Sequence, residues 1–136
     1  MLLSACYNSK YDLENLVPQE YHKILYVNNS GKQEMTLYDT GEDYTYTLSV
    51  IKTGSDPTLT ANAQINVLSQ EEVDQLYSNP EAVNYKVLSE ESFSLETADL
   101  VFTSEDHSKS VNVSVNSTKV KALIESNPEA KWVLPL

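Results

Sequence analysis

A chain of 136 residues has room for one domain with a real hydrophobic core. Its formal net charge of -11, from 20 acidic against 9 basic side chains, argues against nucleic acid as a partner, and adhesion to an anionic membrane would need a covalent anchor. One cysteine leaves no intrachain disulfide and no cysteine-built zinc site.

The chain starts MLLSAC, and Leu3-Ser4-Ala5-Cys6 has the leucine, small, small, cysteine order of a bacterial lipoprotein-processing site. This predicts a lipid on Cys6; the alternative is a chance cysteine. A working signal peptide needs an apolar segment of about 7 to 15 residues, so the stub before Cys6 is read as a trimmed or misplaced start. Acyl chains at about 0.8 kcal/mol per buried methylene would hold the chain on a membrane without a spanning helix. The mixed polar and aromatic segment up to Gln19, with Pro18 near its end, reads as a tether. The division expected is therefore residues 1–19 as signal remnant, lipidation cysteine and linker, and residues 20–136 as the folded domain.

Strand character begins at Ile24 and Tyr26 and is closed by the turn Asn28-Asn29-Ser30-Gly31. Residues 33–38 resume it, and Asp39-Thr40-Gly41-Glu42-Asp43 is a turn before a long segment over 44–52, so a hairpin is predicted here. Tyr44, Tyr46, Leu48 and Val50 share one face of that segment, because side chains alternate across a strand. Residues 59–68 alternate again. Then Ser69-Gln70-Glu71-Glu72 forms a capping box for a short helix carrying Val73, Leu76 and Tyr77, which Asn79-Pro80 stops. Short strands are predicted over 83–88, 92–95 and 100–103. Val111, Val113 and Val115 alternate cleanly with polar residues, Ser117 or Thr118 caps a second helix with Val120, Leu123 and Ile124, and residues 132–136 form a final strand.

Asn79-Pro80-Glu81-Ala82 recurs as Asn127-Pro128-Glu129-Ala130, and at the same offset Ser69 matches Ser117 and Leu88 matches Leu136. Duplication and convergent turn chemistry both account for this. Short strands with turns every ten residues or so predict a mainly β chain, an immunoglobulin-like two-sheet β-sandwich with one or two short helices in the crossovers.

From Ala61 onward the order of features resembles a known family. Ala63-Gln64-Ile65-Asn66-Val67, the helix from Glu71 to Tyr77, Asn84-Tyr85-Lys86-Val87-Leu88, Phe93-Ser94-Leu95, the valine strand 111–115 and the closing Val133-Leu134-Pro135-Leu136 follow one another as they do there. The family is the N-terminal β-sandwich domain of unknown function that opens many surface lipoproteins of gut Bacteroidetes, some family 18 glycoside hydrolases among them. Membership implies an outer-membrane, lipid-anchored location at the cell surface or periplasmic face, and links the chain to glycan utilisation only through neighbouring domains. Family members usually continue into a second domain, whereas this sequence stops on an apolar strand at Leu136, which is read as a cut. The family supplies no functional residues to carry over.

Glycoside hydrolysis requires two carboxylates flanking a cleft. Glu71-Glu72, Glu90-Glu91 and Glu105-Asp106 all fall in turns or at a helix start, where solvated carboxylates belong. His22 and His107 have no metal-ligand spacing, nucleophile and phosphate-loop motifs are missing, and the carboxylates of 39–43 offer oxygen for at most a weak Ca²⁺ site outside any EF-hand pattern. No catalytic residue, metal or cofactor is predicted. Tyrosine is the one enrichment able to carry a contact surface. Tyr44 and Tyr46 either fill the core or stack on a ligand, and either Trp132 or Val133 faces outward. The expected role is a non-catalytic spacer or scaffold in a glycan-utilisation system. The alternative is a carbohydrate- or protein-binding module using Tyr44, Tyr46 and Trp132, with glycan or neighbouring surface proteins as partners. An enzyme would need a cleft that the sequence does not announce.

Overall fold

A computed structural model of the chain describes residues 17–77 and 84–136. Cys6, most of the tether and the first Asn-Pro-Glu-Ala turn lie outside the described residues. The chain is mainly β. Its described strands are β1 (Ile24–Val27), β2 (Asp43–Thr53), β3 (Ala61–Gln64), β4 (Tyr85–Val87), β5 (Phe93–Leu95), β6 (Asp99–Phe102), β7 (Ser108–Asn116) and β8 (Lys131–Val133). Two short helices, α1 (Gln70–Leu76) and α2 (Ser117–Ser126), follow β3 and β7 respectively. Hydrogen bonds order the strands β1-β2-β7-β5, β3-β6 and β4-β8.

The chain divides into two compact units. Among the described residues the first comprises 17–30, Ser49–Ala63 and Leu100–Ser110, and the second Gly31–Leu48, 64–77, 84–99 and Val111–Leu136. In the first, β1 pairs antiparallel with the end of β2, Ile24 opposite Thr53 and Val27 opposite Val50. Its buried residues are Val50, Lys52, Ala61, Leu100 and Phe102. Lys52 occupies the inward parity that Val50 continues from Leu48, and its ammonium donates to the carbonyls of Leu59 and Thr103, each at 2.7 Å. These two bonds clasp the 54–60 loop to the end of β6. Gly54 adopts φ +121, and a Cβ there would collide with the His22 carbonyl, so glycine alone permits this close approach.

In the second unit β5 pairs antiparallel with β7, and β4 runs parallel to β8. A parallel pair needs a crossover between its strands. The chain supplies one by way of β7 and α2, and the pair is extended by Leu88 N–H to Val133 O at 2.9 Å and Lys131 N–H to Asn84 O at 2.8 Å. Leu88, Val113, Val115 and Val120 form an apolar cluster, with Leu37, Phe93, Leu95, Leu123, Trp132 and Leu134 packed against it. Fully burying such side chains stabilises by roughly 1.5–3 kcal/mol each.

The capping box of α1 is present in full: Ser69 Oγ accepts the Glu72 N–H at 3.3 Å while Glu72 Oε2 accepts the Ser69 N–H at 2.8 Å. Val73 is buried as its helical spacing predicts, but Leu76 and Tyr77 are exposed, and the Tyr77 ring lies 5.4 Å from that of Tyr85.

Two expectations are corrected. Residues 33–38 form no strand. The β1 ladder reaches only Val50–Thr53 of β2, and residues 33–38 pair with no strand beside its first half; Leu37 is instead drawn in through side-chain burial. The cap of α2 is neither Ser117 nor Thr118 but Asn116, whose Oδ1 accepts the Lys119 N–H at 3.0 Å. Ser117 Oγ is directed elsewhere, to the carbonyl of Glu42 at 3.1 Å.

Candidate functional site

The loop preceding β2 is held by the first turn of α2. Asp39 Oδ1 accepts from Thr118 Oγ1 at 2.9 Å, and Asp39 Oδ2 takes the Lys121 ammonium at 2.9 Å. Asn116 Nδ2 donates to Asp43 Oδ1 at 2.8 Å while its other amide atom caps the helix. Inside the loop, Gly41 turns the chain at φ +77, and the Glu42 N–H reaches Thr40 Oγ1 at 3.3 Å. Asp39 titrates below its ordinary value because Lys121 and Thr118 donate to its ionised form. The carboxylates of 39–43 that might have ligated Ca²⁺ are thus divided: two hold the helix, and the described residues contain no group of three metal-ligating side chains.

This fixed loop and the first residues of β2 enclose a shallow depression of about 460 Å³, lined by Tyr38, Thr40, Glu42, Asp43, Tyr44 and Thr45. Tyr38 is 74% and Tyr44 45% exposed. Two phenol rings, two carboxylates and threonine hydroxyls on one concave surface offer ring faces for stacking together with acceptors and donors for hydroxyl groups. The arrangement suits a polyhydroxylated ligand.

Of the residues singled out in the sequence, Tyr44 lies in this depression. Tyr46, two residues further on the same strand face, is half-buried. Trp132 is half-buried as well: its ring packs against the apolar cluster and its indole N–H points to the Asn127 carbonyl at 3.4 Å. Val133 is half-buried beside it, so neither residue of that pair stands clear of the surface. Tyr38 was missed by reading the strands alone. Its signal was an aromatic residue abutting an acidic turn, directly across that turn from Tyr44.

The acidic pairs serve local structure. Glu72 completes the α1 cap, and Asp106 Oδ2 accepts the Thr103 N–H at 2.8 Å and hydroxyl at 2.9 Å with Lys109 beside it at 3.3 Å. Glu72 and Asp106 accordingly titrate below their ordinary values, each chiefly through a backbone hydrogen bond. Asp56 does likewise, through Thr58. Glu90 and Glu91 are exposed in a single 3-10 turn. His107 is exposed, and the His22 ring lies 2.8 Å from the Val17 carbonyl. A second depression of about 470 Å³ is walled chiefly by apolar residues from Val67 to Leu95, and of its polar groups Ser69 is committed to capping α1. No described helix is long and apolar enough to cross a membrane.

A protein-family model described as an N-terminal domain matches residues 13–136, nearly the whole chain. No match was found among curated proteins or among solved structures. The matched model is the N-terminal domain type that the order of strands resembles, and the chain belongs to that family.

Proposed function

We propose, from this membership, that the chain is a non-catalytic N-terminal module of a lipid-anchored surface protein, a scaffold that sets a functional partner at a distance from the membrane within a glycan-utilisation system. One observation carries the non-catalytic part. Among the described residues the carboxyl groups with displaced titration, Glu34, Asp39, Asp56, Glu72 and Asp106, are all displaced downward by donors in caps, turns or ion pairs. General acid catalysis calls for the opposite, a carboxyl kept protonated by burial or by a like charge. The family's N-terminal character supports the placement, and Leu3-Ser4-Ala5-Cys6 supports the anchor. Palmitate labelling of the precursor in a lipoprotein-processing bacterium tests it: label enters the natural chain and is lost in Cys6→Ser. Label retained by that variant, or hydrolysis of a glycan by the purified chain, defeats the proposal.

A second reading is favoured by the depression at the start of β2. There the module itself holds a glycan, with Tyr38 and Tyr44 stacking on sugar rings and Glu42 and the threonines accepting and donating to hydroxyls. Calorimetric titration against a panel of soluble polysaccharides decides it. Saturable binding should fall at least tenfold in Tyr38→Ala and in Tyr44→Ala while Trp132→Ala, which alters the apolar cluster instead, leaves the affinity of the folded protein unchanged. Equal loss in all three would point away from the depression.

A further inference from the structure

Among the described residues β1 is the end strand of its sheet, and the direction of its outward hydrogen-bonding groups follows from the register. Its pairs with β2 run from Ile24 opposite Thr53 to Val27 opposite Val50, and the next residue, Asn28, donates its N–H to Ser49 O at 2.8 Å. In an antiparallel ladder, residues that exchange bonds with their partner alternate with residues that do not. Asn28 belongs to the bonded set, so Tyr26 and Ile24 do too. The N–H and C=O of Leu25 and Val27 therefore point away from β2, along the outer edge.

Ile24–Val27 is short, but it contains no proline and no charge, two of the devices that prevent edge pairing. Ile24, Tyr26 and Val27 are 37%, 48% and 38% exposed. The surrounding stretch, residues 21–33, has no carboxylate in a chain that carries 20, and it holds Lys23 and Lys32. Here two copies of net charge -11 can approach without setting carboxylates against each other.

We propose that β1 is a homodimerisation strand, pairing antiparallel with β1 of a second copy about a two-fold axis. The register that satisfies every outward group sets Leu25 of each copy opposite Val27 of the other, each pair exchanging N–H to C=O bonds. Tyr26 then falls on the axis opposite its own symmetry mate, in the non-bonded position where side chains approach most closely and aromatic rings pack. Lys23, whose ammonium is turned to the Thr60 carbonyl at 2.9 Å, faces Asn29 of the other copy, so no like charges are opposed. An isologous contact of this kind is self-complementary and closes at two chains. Because the rest of each copy remains strongly acidic, screening should strengthen the dimer as salt rises.

Sedimentation velocity over a range of protein concentrations, at low and high salt and with reductant to keep Cys6 from bridging, tests this. The expected result is a monomer–dimer equilibrium that tightens with added salt. Val27→Pro removes an outward N–H while leaving the bonds to β2 in place, and Tyr26→Lys sets two ammonium groups together on the axis. Both should weaken association at least tenfold with the circular dichroism of the natural chain, and Tyr26→Lys carries the test should Val27→Pro fail to fold. A chain that stays monomeric under all conditions, or a dimer that survives Tyr26→Lys, overturns the proposal. So does pairing that occurs only with an added acidic peptide and weakens with salt, since the edge would then be built for a foreign strand.

Discussion

The two compact units hold themselves together by different chemistry. In the second, the centre is aliphatic: Leu88, Val113, Val115 and Val120, with half-buried apolar residues around them. In the first, the inward face of β2 ends in Lys52, 2% exposed, whose ammonium takes up two main-chain carbonyls. Aliphatic packing is non-directional and tolerates small losses gradually. A buried ammonium on two carbonyls behaves otherwise, because deleting it removes two charge-assisted hydrogen bonds at once and empties the space its stem fills. The lesson is that a lysine at core parity can be a structural clasp, and that its removal should be felt more sharply than the removal of methyl groups.

Three experiments bear on this contrast. The largest effect is expected for Lys52→Ala, a loss of about 3 kcal/mol from the two charge-assisted bonds to the Leu59 and Thr103 carbonyls together with the vanished stem. Hydrogen exchange should locate the loosening in Ser49–Ala63 and Leu100–Ser110. Lys52→Met, which keeps most of the stem, should recover part of that loss but not all of it. Next comes Val113→Ala, expected to cost about 2 kcal/mol through lost burial and a residual cavity, with exchange rising around β5 and β7. If urea unfolding finds Val113→Ala the more damaging, the clasp is less important than the methyl groups and the contrast fails.

The smallest effect is the response to acid. Asp56 and Asp106 in the first unit, and Asp39 and Glu72 in the second, all titrate below their ordinary values in the folded chain. A carboxyl whose folded value lies below its unfolded one contributes stability that is fully present above the unfolded value and is lost as pH falls through the folded value. Stability should therefore be flat near neutrality and decline below about pH 4. Because these groups are solvent-exposed, the decline should be shallow and reduced by salt. Urea midpoints measured at neutral and acidic pH check it, and a gain in stability on acidification would contradict the downward displacements.

Where a residue's role depended on its neighbours in sequence, the fold was legible. The valines of β7 are buried because alternation puts them all on one side, and the Ser69 to Glu72 box caps α1 because both partners lie within one turn. The inward parity of β2 was equally readable, and extending it by two residues would have found Lys52. What escaped depended on partners distant in the chain. Residues 33–38 have the composition of a strand, but they join no ladder and Leu37 packs on the cluster around Val113 and Val120, which no local pattern records. Asn116 replaced Ser117 as the cap because Ser117 is claimed by Glu42, 75 residues away. Strand parity put Tyr44 on the face of Leu48 and Val50, yet at the start of β2 it is 45% exposed, and Tyr38 is placed by a loop whose bonds run to α2.

That dependence has a consequence for assembly. Asp39 meets Thr118 and Lys121 across separations of 79 and 82 residues. On a ribosome, where the chain emerges from its amino end, all the residues lining the depression are made well before the helix that braces them. Contacts between positions so remote form late, after much entropy has been surrendered elsewhere. A nascent or truncated chain that stops short of residue 117 would carry both tyrosines and yet lack the side chains that brace the loop between them.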